Sequence, residues 1–74
     1  MTPAPHHATV LVSSVLARMT YSFDATLELV FQSGTIYRYF AVPRGVVDGL
    51  IAAESKGAYF NTHIRSRFRS QRLA

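Results

Sequence analysis

The chain has 74 residues, eight Lys and Arg against four Asp and Glu for a formal net charge of +4, and no cysteine. One small domain of this length buries too little surface to support both a stable core and a deep catalytic cleft. Without thiols it can form neither disulfides nor thiolate zinc sites, and nothing in it calls for an oxidising compartment.

With 49% apolar and 16% charged residues, the chain is expected to fold unaided as a globule. Seven of its eight cations are arginine, and Arg65, Arg67, Arg69 and Arg72 fall within the last ten residues. A basic end this concentrated favours an anionic partner such as RNA, DNA or an acidic protein surface, with a merely solvated face as the alternative.

The opening stretch MTPAPHHATVLVSSVLARM lacks a basic leader and is interrupted by Ser13, Ser14 and Arg18, so it reads as neither signal peptide nor membrane span. A soluble protein of the cytoplasm is expected. Residues 1–8, with two prolines and no periodicity, read as a mobile tail before a single domain over 9–74. His6 and His7 are adjacent, but His63 is distant and no other ligand clusters with them, so no metal site is expected. The strip TVLV at 9–12 either lengthens the first strand or is an edge segment that docks on a protein partner through Val10, Leu11 and Val12.

From Val15 the pattern alternates, with Val15, Ala17, Met19 and Tyr21 on one side and Arg18, Thr20 and Ser22 on the other, which predicts a half-buried strand. A turn around Asp24 follows, and LELVF alternates Leu27, Leu29 and Phe31 against Glu28 and Val30. The QSG loop then sets the register of TIYRYFAV. A two-residue loop would place Arg38 opposite Leu29, among apolar side chains. A three-residue loop with left-handed Gly34 pairs Glu28 with Arg38 and Leu29 with Tyr37, so charges meet and apolar faces agree. In that register Tyr37 and Tyr39 turn toward the core with their hydroxyls at its rim; the competing use of the rings is base stacking on an open sheet face.

Val42-Pro43 ends the strand and opens a helix with an apolar stripe of Val46, Val47, Leu50 and Ile51, weakened by Gly45 and Gly49 and ending at Lys56-Gly57. Asn61 is a candidate N-cap for a second helix with Phe60, Ile64 and Phe68 along one seam. On that wheel Arg65, Arg69 and Arg72 form a cationic stripe, and Arg67, Arg44 and Lys56 are further cations available to nucleic acid or an acidic partner. The expected architecture is α+β, a three-stranded antiparallel β-meander followed by two short helices packed on one face.

Catalysis needs convergent titratable groups, yet Asp24, Glu28, Asp48 and Glu54 lie in four different segments, and no nucleophile elbow surrounds Ser13, Ser14 or Ser55. SKG at 55–57 falls far short of a phosphate loop and reads as a helix stop. Neither an enzyme nor a cofactor is expected.

In order and spacing, LELVF, SG, YRY, VP, SKGAYFN and IRSRF resemble the KTSC domain, a module found at the C-terminus of some lysyl-tRNA synthetases and as free-standing small proteins. The resemblance covers about residues 12–70. The YxY of that family corresponds to Tyr37, Arg38 and Tyr39, and its later segment to Ser55, Gly57, Tyr59, Phe60, Asn61 and Ile64. It implies association with nucleic-acid machinery and no catalytic mechanism. One free-standing member is a small bacteriophage protein that binds host RNA polymerase. The leading expectation is therefore a monomeric transcription regulator of phage type that binds bacterial RNA polymerase, inhibiting initiation and promoting antitermination. A general RNA-binding module is the alternative.

Overall fold

In the computed structural model of the chain, the backbone is described for residues 6–74 and the side chains from Leu11 onward. Five strands form one antiparallel sheet in chain order: β1 (His6–Val10), β2 (Leu16–Ser22), β3 (Leu27–Phe31), β4 (Ile36–Tyr39) and β5 (Ser70–Arg72). Between β4 and β5 run α1 (Arg44–Ala52) and α2 (Lys56–His63), both contributing to the single core on one face of the sheet. The fold is α+β as expected, with the three-stranded meander widened by a strand at each edge.

The register of the central hairpin is the one that charge pairing predicts. Glu28 lies opposite Arg38 and Leu29 opposite Tyr37. The Arg38 guanidinium reaches the Glu28 carboxylate at 3.2 Å, and Gly34 takes the left-handed conformation at φ +92° that the three-residue loop requires. Leu27, Leu29, Tyr37 and Tyr39 consequently share the helix-covered face, while Glu28, Arg38 and Phe40 look the other way.

The first strand departs from simple alternation. Leu16 and Met19 are both buried although three residues apart, because a register shift between Leu16 and Arg18 inserts an extra residue and reverses the parity. Val15, expected inside, is 42% exposed. The TVLV strip does not extend this strand. It ends a separate one, β1, which folds back on β2 with Val10 opposite Arg18. Residues 6–8, expected in a tail, therefore lie in a strand; the rest of that expected tail, residues 1–5, lies outside the described residues.

The helices also shift. In α1, Val47 and Leu50 are buried as expected, but the helix ends at Ala52, with the Ala53 N–H bonded to Leu50 O. SKG is not its stop. Ser55 instead caps α2, its Oγ accepting from the Ala58 N–H at 3.2 Å, and Asn61 lies inside the helix it was expected to start. The expected continuation through Arg72 is overturned. After His63 the Ile64 and Arg65 N–H groups both bond to Phe60 O, the chain turns, and residues 70–72 pair with β4. Tertiary pairing overrides local periodicity here, since β4 would otherwise present an unpaired edge. Phe60 and Ile64 still enter the core, with Phe68 packed against it.

Candidate nucleic-acid interface

Four rings meet where α2 crosses β3 and β4. Phe60 stands edge-on to Phe31 at 5.2 Å and to Tyr39 at 5.8 Å, Phe31 is edge-on to Tyr37 at 6.1 Å, and Tyr37 and Tyr39 lie 6.2 Å apart. The near-perpendicular planes of the three edge-on pairs suit the electrostatics of aromatic rings, while Tyr37 and Tyr39 are tilted by 34°. The β-period places Tyr37 and Tyr39 side by side, and the turn after α2 brings Arg65 and Ser66 over them. A cavity of about 480 Å³ opens between these groups, with Asn61 and Ser70 at its polar edge.

Tyr39 is 4% exposed and Tyr37 half-buried. The Tyr39 ring is thus core, as expected, and the Tyr37 ring is a shared wall between core and cavity. Burial raises the pKa of the Tyr39 phenol above its ordinary value; the neighbouring Tyr37 adds to the rise and the Arg65 guanidinium opposes it. Arg65 therefore acts electrostatically on the cavity floor. Its guanidinium is exposed and its one hydrogen bond among the described residues is to Asn61 Oδ1 at 3.5 Å.

The stripe Arg65, Arg69 and Arg72 does not exist as a helix face. Strand pairing sets Arg72 directly opposite Tyr37, on the cavity side, with its Nε donating to Ala74 O at 2.9 Å. Arg69 falls on the other side of the sheet, with its guanidinium 5.5 Å from the centroid of the Phe40 ring. Arg67 is exposed in the turn between α2 and β5. Arg44 pairs with Asp48 at 3.5 Å along α1.

Lys56 is committed elsewhere: its Nζ donates to Ile51 O and Ala53 O at 3.0 and 2.7 Å, tying off the carbonyl end of α1. Of the expected docking strip, Leu11 is 5% exposed and belongs to the core, Val12 is 92% exposed, and the Val10 side chain lies outside the described ones. Among the expected site residues, then, the fold gathers Tyr37, Tyr39, Arg65 and Arg72 and disperses the rest.

Phe31, Asn61, Ser66 and Ser70 are cavity residues that periodicity did not single out. Phe31 was legible as a face-mate of Leu29. Asn61 was masked by its reading as a cap, and Ser66 and Ser70 by the helix expected over them.

Comparison with known proteins agrees with this fold. The KTSC domain family matches residues 12–68. A lysine–tRNA ligase of Nostoc punctiforme is 39% identical over 62 residues, covering 82% of this chain and 11% of the ligase. A second, from Nostoc sp., is 47% identical over 49 residues, covering 66% of this chain and 9% of the ligase. The chain thus spans about a tenth of the length of these ligases. A protein of Stutzerimonas stutzeri is 46% identical over 52 residues, covering 69% of this chain and 73% of that protein. In fold, the crystal structure of a KTSC domain protein from Yersinia pestis superposes with a TM-score of 0.87 at 24% identity, over 93% of this chain and 99% of that one.

Proposed function

The chain belongs to the KTSC domain family, and on that premise we propose that it is a non-enzymatic RNA-binding module that grips single-stranded RNA along the Tyr37, Arg65 and Arg72 side of its sheet. The observation that carries this reading is the placement of Arg65 over the partly exposed Tyr37 ring and of Arg72 opposite it on the next strand, with no Asp or Glu side chain paired to either among the described residues. A planar guanidinium bonds phosphate at two points, and an aromatic ring accepts any base on its face. Phosphate contacts supply affinity and the ring adds a sequence-tolerant stack. The kinship with parts of proteins named lysine–tRNA ligases supports an RNA partner.

Binding of a fluorescent single-stranded oligonucleotide, followed by anisotropy over a salt series, tests this. Two to four phosphate contacts give a slope of log affinity on log salt between about −1.4 and −2.8. Weak binding with a flat salt response refutes it.

A second reading keeps a protein as the partner, with bacterial RNA polymerase occupied so that initiation is inhibited and terminators are passed. The observations in its favour are two large apolar side chains left in solvent, Val12 at 92% and Phe23 at 84% exposure. Burial of Leu11 leaves its expected docking strip with less apolar surface. Tagged protein that captures the large polymerase subunits from a nuclease-treated lysate supports this reading, and an empty capture counts against it.

A further inference from the structure

Four tyrosines pack on or beside the core, and their hydroxyls divide into two pairs. Tyr21 Oη donates to Val42 O at 2.7 Å and Tyr59 Oη to Val46 O at 2.8 Å. Tyr37 and Tyr39, the two that line the cavity, have no hydrogen-bond partner for their hydroxyls among the described residues. Tyr39 is the telling case, because only 4% of the residue is exposed. Among the described residues no sealed side-chain oxygen lacks a partner, so the Tyr39 hydroxyl meets solvent, and the space it lines is the cavity.

The other polar groups there have the same character. Arg65 offers a guanidinium, Asn61 keeps its amide N–H donors after its Oδ1 accepts from Arg65, and Ser66 and Ser70 add hydroxyls; no carboxylate lines the space. The opposite wall is aromatic. A lining of rings on one side and hydrogen-bond donors with one positive charge on the other fits a flat aromatic group carrying an anion. The volume of about 480 Å³ lies within the range of small-molecule sites.

We propose that this cavity is a single-nucleotide pocket, in which one unstacked base lies against the Phe31, Tyr37 and Phe60 rings and its phosphate is held by Arg65, with the Tyr39 hydroxyl donating to the nucleotide. The proposal rests on the RNA-binding reading and goes beyond it. Phosphate gripping alone needs no base in the cavity and gives Tyr39 no role in binding.

The two separate experimentally. The probes are a fluorescent hexaribonucleotide, the same chain made abasic at every position, and free adenosine monophosphate. The abasic chain keeps every phosphate, so a phosphate grip binds both oligonucleotides alike, whereas a base pocket prefers the natural one. Tyr39→Phe removes a hydroxyl with no partner among the described residues and keeps the ring, so its melting temperature should match wild type while its affinity for the natural oligonucleotide falls by about fivefold to tenfold. Asn61→Ala, on an exposed helix position, should weaken binding in the same direction.

Equal binding of natural and abasic chains, with wild-type affinity in both variants, overturns the pocket and leaves the RNA reading standing. If neither oligonucleotide binds, the RNA reading fails, and the pocket is then judged by nuclear magnetic resonance with adenosine monophosphate. Shifts confined to the cavity residues Phe31, Tyr37, Tyr39, Phe60, Asn61 and Arg65 keep it as a site for free nucleotide; unshifted signals remove it.

Discussion

Gly49 gives the sharpest test of how the helices are mounted on the sheet. Inside an α-helix, Gly→Ala ordinarily stabilises by about 0.8–1 kcal/mol. At Gly49 the added methyl would overlap the Tyr59 side chain, falling 2.7 Å from Cζ and 2.9 Å from Cε2 and closer still to Oη. The ring cannot yield freely: its hydroxyl is bonded to Val46 O and it lies tilted against the His63 ring, with centroids 4.4 Å apart.

Overpacking of this kind costs about 1–3 kcal/mol, and loss of the hydrogen bond about 1 kcal/mol more, against the helical gain of about 1 kcal/mol. Gly49→Ala should therefore destabilise by about 1–3 kcal/mol, lowering the melting temperature by about 5–15 °C in a domain this small. Gly45, in the same helix, has nothing within 4 Å of an added methyl. Gly45→Ala should instead stabilise by about 0.5 kcal/mol. Urea titrations followed by circular dichroism measure both. In a Tyr59→Ala background the overlap is gone, and Gly49→Ala should change sign. A higher melting temperature for Gly49→Ala in the wild-type background would refute the mounting described here.

Lys56→Gln should lower stability by about 1–2 kcal/mol, because two helix-end carbonyls lose a charged donor, and should leave oligonucleotide affinity within about twofold, since the ammonium is committed to α1; a large affinity loss without a change in melting contradicts this. For Tyr39, burial favours the neutral phenol and raises its pKa above the ordinary value of 10.0. That stabilisation is complete below the unfolded pKa and is lost as pH rises through the higher folded one. Phenolate absorbance should show one tyrosine ionising late, and in Tyr39→Phe that late step should vanish; its persistence would contradict the assignment.

The central hairpin was legible because three constraints agreed: alternation in LELVF, a glycine at the only loop position that needs positive φ, and opposite charges on Glu28 and Arg38. The first helix was readable from its Pro43 start and its Val47 and Leu50 stripe. Its end was not, because Lys56-Gly57 carries the composition of a helix stop and also that of a first turn behind a Ser cap, and only the Lys56 bonds to Ile51 O and Ala53 O decide between them.

The arginine-rich end misled for a related reason. A spacing of four residues suits Phe60 on α2 and Ile64 at its end, and it persists by chance into Phe68, where the chain has already left the helix to complete the sheet. The cavity was half legible. Tyr37 and Tyr39 share a face by strand period alone, but the residues closing over them come from a turn whose course depends on the edge of β4.

The most direct test of the account is the salt dependence of oligonucleotide binding in an Arg65→Gln, Arg72→Gln double variant, with Arg44→Gln as the control on the far helix. Loss of two phosphate contacts should reduce the slope of log affinity on log salt by about 1.4 in the double variant, and the control should retain the wild-type slope. A double variant with the wild-type slope, or a control that loses as much, would contradict the placement of RNA beside Tyr37.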